Sequence, residues 1–199
     1  MNAPLPGTAE RVFALFLGLE QQARKAGSTE QLAYAMVNDG QALFGFRHAA
    51  LLIAGKVQAL TGISVVEANA PFVAFVERAA SALLKHGRLS EAHAVDPAQL
   101  DEQTRLDMNS LSAPHAFWLP LKNRRDETFG GLWLARDKPF AEAEQALLRQ
   151  LADTYAHAWL ALQPRKPWRM RWPRRKLLAV AAALSLLLLV PVRQSVLAP

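Results

Sequence analysis

The chain has 199 residues, 51% apolar and 20% charged, the balance of one folded domain with a usable core and some length to spare. It contains no cysteine, which excludes disulfide frameworks, zinc–thiolate sites and a cysteine nucleophile. The net charge of +6 is local: eight of the 23 cations lie beyond residue 163 with no acid among them, so residues 1–163 hold 15 cations against 17 acids and are not a basic nucleic-acid-binding domain.

Residues 1–7 read as a tail, and the opening run, broken by Glu10, Arg11 and Glu20, lacks the basic and long apolar regions of a secretory signal. Val12, Phe13, Leu15, Phe16, Leu19 and Ala23 recur at helical spacing and predict a helix over 8–26 that stops at Gly27. Ser28, with Gln31 three residues on, starts a second helix whose apolar side carries Leu32, Ala35, Met36, Ala42 and Leu43 and which ends at Gly45. "FRHAALLIAGKVQALTGIS" then reads as a hairpin turning at Gly55-Lys56. Pro71 opens a helix bearing Phe72, Phe75, Val76, Ala79, Ala80, Leu83 and Leu84, closed by Gly87.

Over residues 88–114 periodicity fades, which predicts a long loop with one short helix around 97–109; loops of that length inside a domain are often functional. "HAFWLPLKNRRDETFGGLWLARD" predicts a second hairpin with a polar tip at 123–128, and Pro120 suits an edge strand. After Pro139 a last helix buries a stripe of Ala143, Leu147, Leu148, Leu151, Ala152, Tyr155 and Trp159, before Pro164 and Pro167 end it. Two hairpins covered by helices predict an α+β domain over residues 8–163, built on an antiparallel sheet.

Residues 164–176 form a basic linker and residues 177–197 an aliphatic segment, "LLAVAAALSLLLLVPVRQSVL". A nucleic-acid tail accounts for the cations but leaves the aliphatic run unexplained. A core helix would follow a domain that is already complete. Residues 177–192 would span only about 24 Å as a helix, but with Arg193 snorkelling and the next apolar residues added the segment reaches the length of a transmembrane helix. The ten Leu and Val residues of 177–192 contribute roughly −4 kcal/mol to insertion on the biological scale. The expected membrane-interface residues are Trp168, Arg169, Arg171, Trp172, Arg174, Arg175 and Lys176 on one side and Arg193 on the other. The charge asymmetry puts residues 1–176 in the cytoplasm and the C-terminal residues across an inner membrane.

No catalytic constellation is legible. His48, His86, His93, His115 and His157 lack metal-ligand spacing, no glycine-rich phosphate loop occurs, and the serines lack a nucleophile elbow. The expectation is therefore no enzyme, no metal and no cofactor. Gly130-Gly131, inside a strand, predicts a bulge or close packing. Arg124-Arg125 with Asp126-Glu127 reads as a solvated hairpin tip. Trp118 and Trp133 are placed to face each other across the second hairpin, in the core or lining a pocket.

The order of elements, with "STEQLAYAMVNDGQALFGFRHAALLI", "FWLPL" and "GGLWLARDKPFAEAEQALLRQLADTYAHAWL", resembles a GAF domain over about residues 8–162. In that family a late strand of Gly-x-Leu type, here Gly131-Leu132-Trp133-Leu134, runs through Phe140 and the acids Glu142 and Glu144 into the last helix. The resemblance implies a regulatory fold that binds a small molecule or a partner, with a pocket between the sheet and residues 65–115. The family's chromophore cysteine is absent, and no residue set of its cyclic-nucleotide-binding members is found. The closing "PVRQSVLAP" after a basic flank and one short span resembles the lead-in to the periplasmic part of haemolysin-D-type membrane fusion proteins. Together these imply a membrane-anchored cytoplasmic GAF-like domain at the head of an inner-membrane export adaptor, whose partners would be the membrane, proteins of the export machine, a small ligand and further copies of itself, with no nucleic acid. The alternative is the membrane-bound input module of a kinase or cyclase.

Overall fold

The structure is a computed structural model, and it describes residues 8–164. The chain divides into two units, Met1–Gln163 and Pro164–Pro199, and the sheet with its helices belongs to the first. The transmembrane segment read at 177–197 lies outside the described residues; among those described, no helix is long and apolar enough to cross a membrane.

Among the described residues six α-helices and one short 3-10 helix, Pro97–Gln99, flank one five-stranded sheet. In chain order the elements are α1 (Thr8–Lys25), α2 (Thr29–Asn38), α3 (Gln41–Phe44), β1 (His48–Ile53), β2 (Lys56–Leu60), α4 (Pro71–Lys85), β3 (His93–Ala94), α5 (Glu102–Leu111), β4 (His115–Lys122), β5 (Thr128–Arg136) and α6 (Glu142–Leu162). The strand order is β2-β1-β5-β4-β3 and every pairing is antiparallel. The α+β architecture with an antiparallel sheet flanked by helices is thus the one expected.

Successive side chains of a strand point to opposite faces, and both faces here are apolar. Leu51, Phe117, Leu119, Leu121, Leu132 and Leu134 pack under α1, α2 and α6. Ala50, Leu52, Ala116, Trp118, Trp133 and Ala135 face α4 and α5. The central strands β4 and β5 are therefore covered on both sides, which is why their sequence reads as a continuous apolar run.

Local chemistry explains where the elements stop. Ser28 Oγ caps α2 by accepting from the Gln31 N–H at 3.2 Å, while Gln31 Oε1 accepts from the Gly27 N–H at 2.9 Å, one residue earlier than a standard capping box requires. The single helix expected up to Gly45 is two, broken at Asp39 and Gly40, and Ala42 on the second is exposed. A Cβ at Gly40 would stand 3.2 Å from the Phe46 ring, so this close approach suits glycine. The first hairpin turns on Ala54 and Gly55 rather than on Gly55-Lys56: φ is 49° and 76°, the left-handed pair that a two-residue loop needs, and Ile53 pairs with Lys56 across it. Pro120 sits in a strand with neighbours on both sides in the sheet order, yet β3 reaches only Phe117 and Trp118, so the outer edge of β4 beyond them has no strand to pair with. The two-residue strand β3 was not legible in the sequence.

On α6 the buried stripe is Leu148, Leu151, Ala152, Tyr155, Ala156 and Trp159, with Ala143 exposed. On α4, Leu84 is exposed, and on α1 so is Phe13, although both belong to the apolar patterns that predict those helices.

Candidate functional site

The face of the sheet under α4 and α5 carries the features that point to binding. Trp118 and Trp133 stand directly opposite each other on β4 and β5, and both are almost wholly buried. Phe75 of α4 meets the Trp133 ring edge-on, with ring centroids 5.5 Å apart and planes at 90°, a favourable quadrupolar geometry. Trp118 Nε1 donates to the Leu89 carbonyl at 2.7 Å, which fixes the start of the long segment after α4. The indole sits where Gly131 has no side chain: a Cβ there would lie 2.3 Å from the ring. At Gly130 a Cβ would lie 2.4 Å from the Leu52 carbonyl oxygen. The paired glycines therefore serve close packing.

Beside this aromatic core lies a cavity of about 230 Å³ between α4 and the β1–β2 turn, next to the start of β5. Leu52, Leu84, Trp118 and Phe129 give it apolar walls, and Glu77, Ser81 and Thr128 are polar residues of its lining. Trp118 is thus both a core residue and a wall of the cavity. Glu77 is engaged already: its carboxylate accepts from Lys56 Nζ at 2.7 Å and from the Val57 N–H at 3.2 Å, which also covers an N–H of edge strand β2. Thr128 Oγ1 is buried with no protein partner. Among the described residues six buried side-chain polar atoms lack a partner, and four of them, on Arg88, His93, Gln99 and Ser112, belong to the segment 88–114. Buried polar groups are as a rule satisfied, so the segment 88–114 is the least internally satisfied part of the described fold.

The same segment is held by two devices. Asp101 caps α5 by accepting from the Thr104 N–H at 2.9 Å and from the Thr104 hydroxyl at 2.8 Å, and these bonds draw its carboxyl below the usual range. Arg78 of α4 pairs with Asp107 of α5.

The histidines stay apart. His48 packs on Phe72 with ring centroids 5.4 Å apart, and burial, then the charge of Arg47, lowers its pKa. His93 Nδ1 lies 2.8 Å from the Glu91 carbonyl oxygen, and His86, His115 and His157 are exposed. Among the described residues no three His, Asp or Glu side chains come together around a point that could hold a metal. The tip of the second hairpin is ordered internally: Asn123 Oδ1 accepts from the N–H groups of Arg125 and Glu127, leaving Arg124 and Arg125 in solvent. The membrane-interface set Trp168, Arg169, Arg171, Trp172, Arg174, Arg175, Lys176 and Arg193 lies outside the described residues.

No family model matches the chain, and neither does any curated protein. Solved structures do match. The GAF domain of an Acinetobacter phosphoenolpyruvate-protein phosphotransferase aligns with a TM-score of 0.55 at 14% identity, over 78% of this chain and 95% of that one. Bacteriophytochrome RpBphP3 from R. palustris aligns with a TM-score of 0.55 at 8% identity over 92% of this chain, which spans only 42% of the phytochrome. The N-acylhomoserine lactone dependent LuxR-family transcription factor CepR2 from Burkholderia cenocepacia aligns with a TM-score of 0.50 at 16% identity, over 78% of this chain and 98% of that one. At such identities the agreement concerns the backbone alone, and it is carried by the element order and sheet described above: the α+β unit of this chain has a GAF-like fold.

Proposed function

We propose that the chain is a membrane-tethered binding module. Residues 8–163 act as a cytoplasmic regulatory domain that takes a small molecule on the α4 face, and residues 177–197 carry the response across an inner membrane, as the head of an export adaptor. The role is regulatory and not catalytic. The observation that carries the binding half is the cavity against Trp118, with its apolar walls and the Glu77 and Ser81 side chains that line it. The membrane half is supported by the basic flank and the aliphatic run of the sequence.

The volume limits the ligand. At about 230 Å³ the cavity is below the roughly 300–1,000 Å³ of pockets for drug-sized molecules, so a fragment-sized, mostly apolar molecule with one hydrogen-bonding group suits it better than a tetrapyrrole. Phenol fits that description, and N-butanoyl-homoserine lactone, which carries an amide and a lactone, is a more polar second probe suggested by the lactone-dependent regulator of similar fold. Binding of either should raise the melting temperature of the full chain; at a hundred times Kd the stabilisation is about 2.7 kcal/mol. Ala80→Leu, which fills the cavity from α4, should abolish that rise, and Ser81→Ala should weaken binding about 2- to 10-fold through the lost hydrogen bond. An equal rise in the Ala80→Leu variant would place binding elsewhere, and no rise with either probe would contradict this ligand class.

A second reading, the input module of a membrane-bound kinase or cyclase, is supported by the similarity of fold to the photosensory core module of Stigmatella aurantiaca phytochrome. Expression of residues 1–199 ahead of a kinase output domain, with autophosphorylation read against probe concentration, would support it if activity followed ligand.

A further inference from the structure

On the other side of the sheet from α4, a hollow of about 460 Å³ lies between α1 and the junction of α2 with α3. That size is within the roughly 300–1,000 Å³ of small-molecule sites. Leu15 and Leu19 from α1 and Leu43 from α3 give it an apolar floor. Each of its two walls carries one charge, Arg11 on α1 and Asp39 where α2 ends. Gly18 belongs to the same lining, and a Cβ there would meet nothing within 4 Å. Glycine inside a helix is unfavourable relative to alanine, and no close approach requires it at this position. Its lack of a side chain leaves the middle of the hollow unfilled.

Asp39 is poorly served by the fold itself. It stands at the C-terminal end of α2, where the helix dipole disfavours an acid. It is half-buried, and its carboxylate accepts no hydrogen bond among the described residues. Burial accordingly holds its carboxyl above the usual range. Arg11 is exposed and forms no ion pair among the described residues, so its guanidinium can turn toward the hollow.

We infer that this hollow binds a free amino acid with an apolar side chain, its ammonium on Asp39, its carboxylate on Arg11 and its side chain over Leu15, Leu19 and Leu43. A carboxylate withdrawn from water and without a donor gains most from a ligand ammonium, through a charge-assisted hydrogen bond. The guanidinium offers a planar fork that matches a ligand carboxylate. An anion without an ammonium would leave Asp39 without a donor and set two like charges in one hollow. An amine without a carboxylate would leave Arg11 unused. The two charges thus select a zwitterion, and the floor selects an aliphatic side chain. The site is separate from the cavity at Trp118, so its ligand is independent of the one proposed there.

Titration calorimetry on the full chain in detergent solution tests this with three probes: leucine, isoamylamine, which is leucine without its carboxylate, and isocaproate, which is leucine without its ammonium. Leucine should bind, and each analogue should bind about 10-fold more weakly or worse. Asp39→Asn should weaken leucine binding by about 10-fold or more without lowering the melting temperature, because it removes a charge that the fold leaves without a donor. Arg11→Gln should weaken leucine to the level of isoamylamine and leave isoamylamine unchanged. Gly18→Leu, which fills the hollow from an open helical position, should abolish leucine binding in a protein that melts no lower than the parent. Ala80→Leu, in the cavity at Trp118, should not alter it. Isoamylamine binding as tightly as leucine would show a plain cation site and overturn the proposal. Failure of leucine to bind, or undiminished binding in Gly18→Leu, would overturn it as well.

Discussion

Gly131→Ala is expected to lower the melting temperature by about 6–12 °C, corresponding to about 3 kcal/mol for a domain of this size. The new methyl would lie 2.3 Å from Trp118 and would have to displace an indole that is 1% exposed and held by its bond to Leu89. The ring has little room to move, because Trp133 stands opposite it on the same face. Shrinking the obstacle should recover part of the loss: Trp118→Phe in the Gly131→Ala background should cost less than the two single effects added together, the mark of residues in contact. Thermal denaturation of the four proteins tests this. A Gly131→Ala variant that melts within about 2 °C of the parent, less than the shift of a single kcal/mol, would show that Trp118 does not lie over Gly131.

The second large effect is expected at Arg136, at the end of β5. Its guanidinium side chain is 12% exposed and donates to the Phe44 carbonyl at 2.6 Å, Lys138 at 2.9 Å and Pro139 at 2.7 Å, while forming an ion pair with Glu144 and lying 4.1 Å from the Phe140 ring centroid. One side chain thus joins the end of α3, the turn after β5 and the first turn of α6. Arg136→Met fills similar space but leaves Glu144 and three carbonyls without their donor, which should cost about 3–5 kcal/mol. Arg136→Lys should also destabilise, since an ammonium cannot reproduce the planar fork. The acid response should change as well. Glu144 is held below its usual pKa by the Arg136 hydrogen bond, and it also accepts from the Ala141 N–H at 2.7 Å. A carboxyl lowered in the folded state stabilises the fold above its unfolded pKa of about 4.5, and that contribution disappears as pH falls through the folded value. Arg136→Met should flatten this part of the stability-versus-pH curve in denaturant titrations; an unchanged slope would contradict the coupling.

The sequence revealed most where a local signal and the tertiary role coincide. Pro71 begins α4, Ser28 caps α2, and the runs around Trp118 and Trp133 pair as a hairpin because their own patterns demand it. It revealed less where a distant partner decides. The strand at His93 and Ala94 exists only by pairing with Trp118 and Phe117, and two residues carry no period. Phe13 fits the apolar side of α1 by spacing, but the core takes Phe16 and Leu19 and leaves it outside. The family resemblance implied a pocket between the sheet and residues 65–115, and the cavity takes α4 residues and Leu89 from that stretch, while the facing tryptophans were legible as a pair. The cavity's polar members were not: Glu77 and Thr128 come from separate elements and resemble ordinary surface residues until the fold brings them to the same cavity.

The most direct test of a cytoplasmic binding domain tethered to a membrane is the topology of the full chain. Alkaline phosphatase fused after Pro199 should be active, and the same enzyme fused after Gln163 should be inactive, because it folds to an active form only on the far side of an inner membrane. Inactivity of both fusions, with both proteins expressed, would show that residues 177–197 do not cross the membrane and would contradict the tethered module.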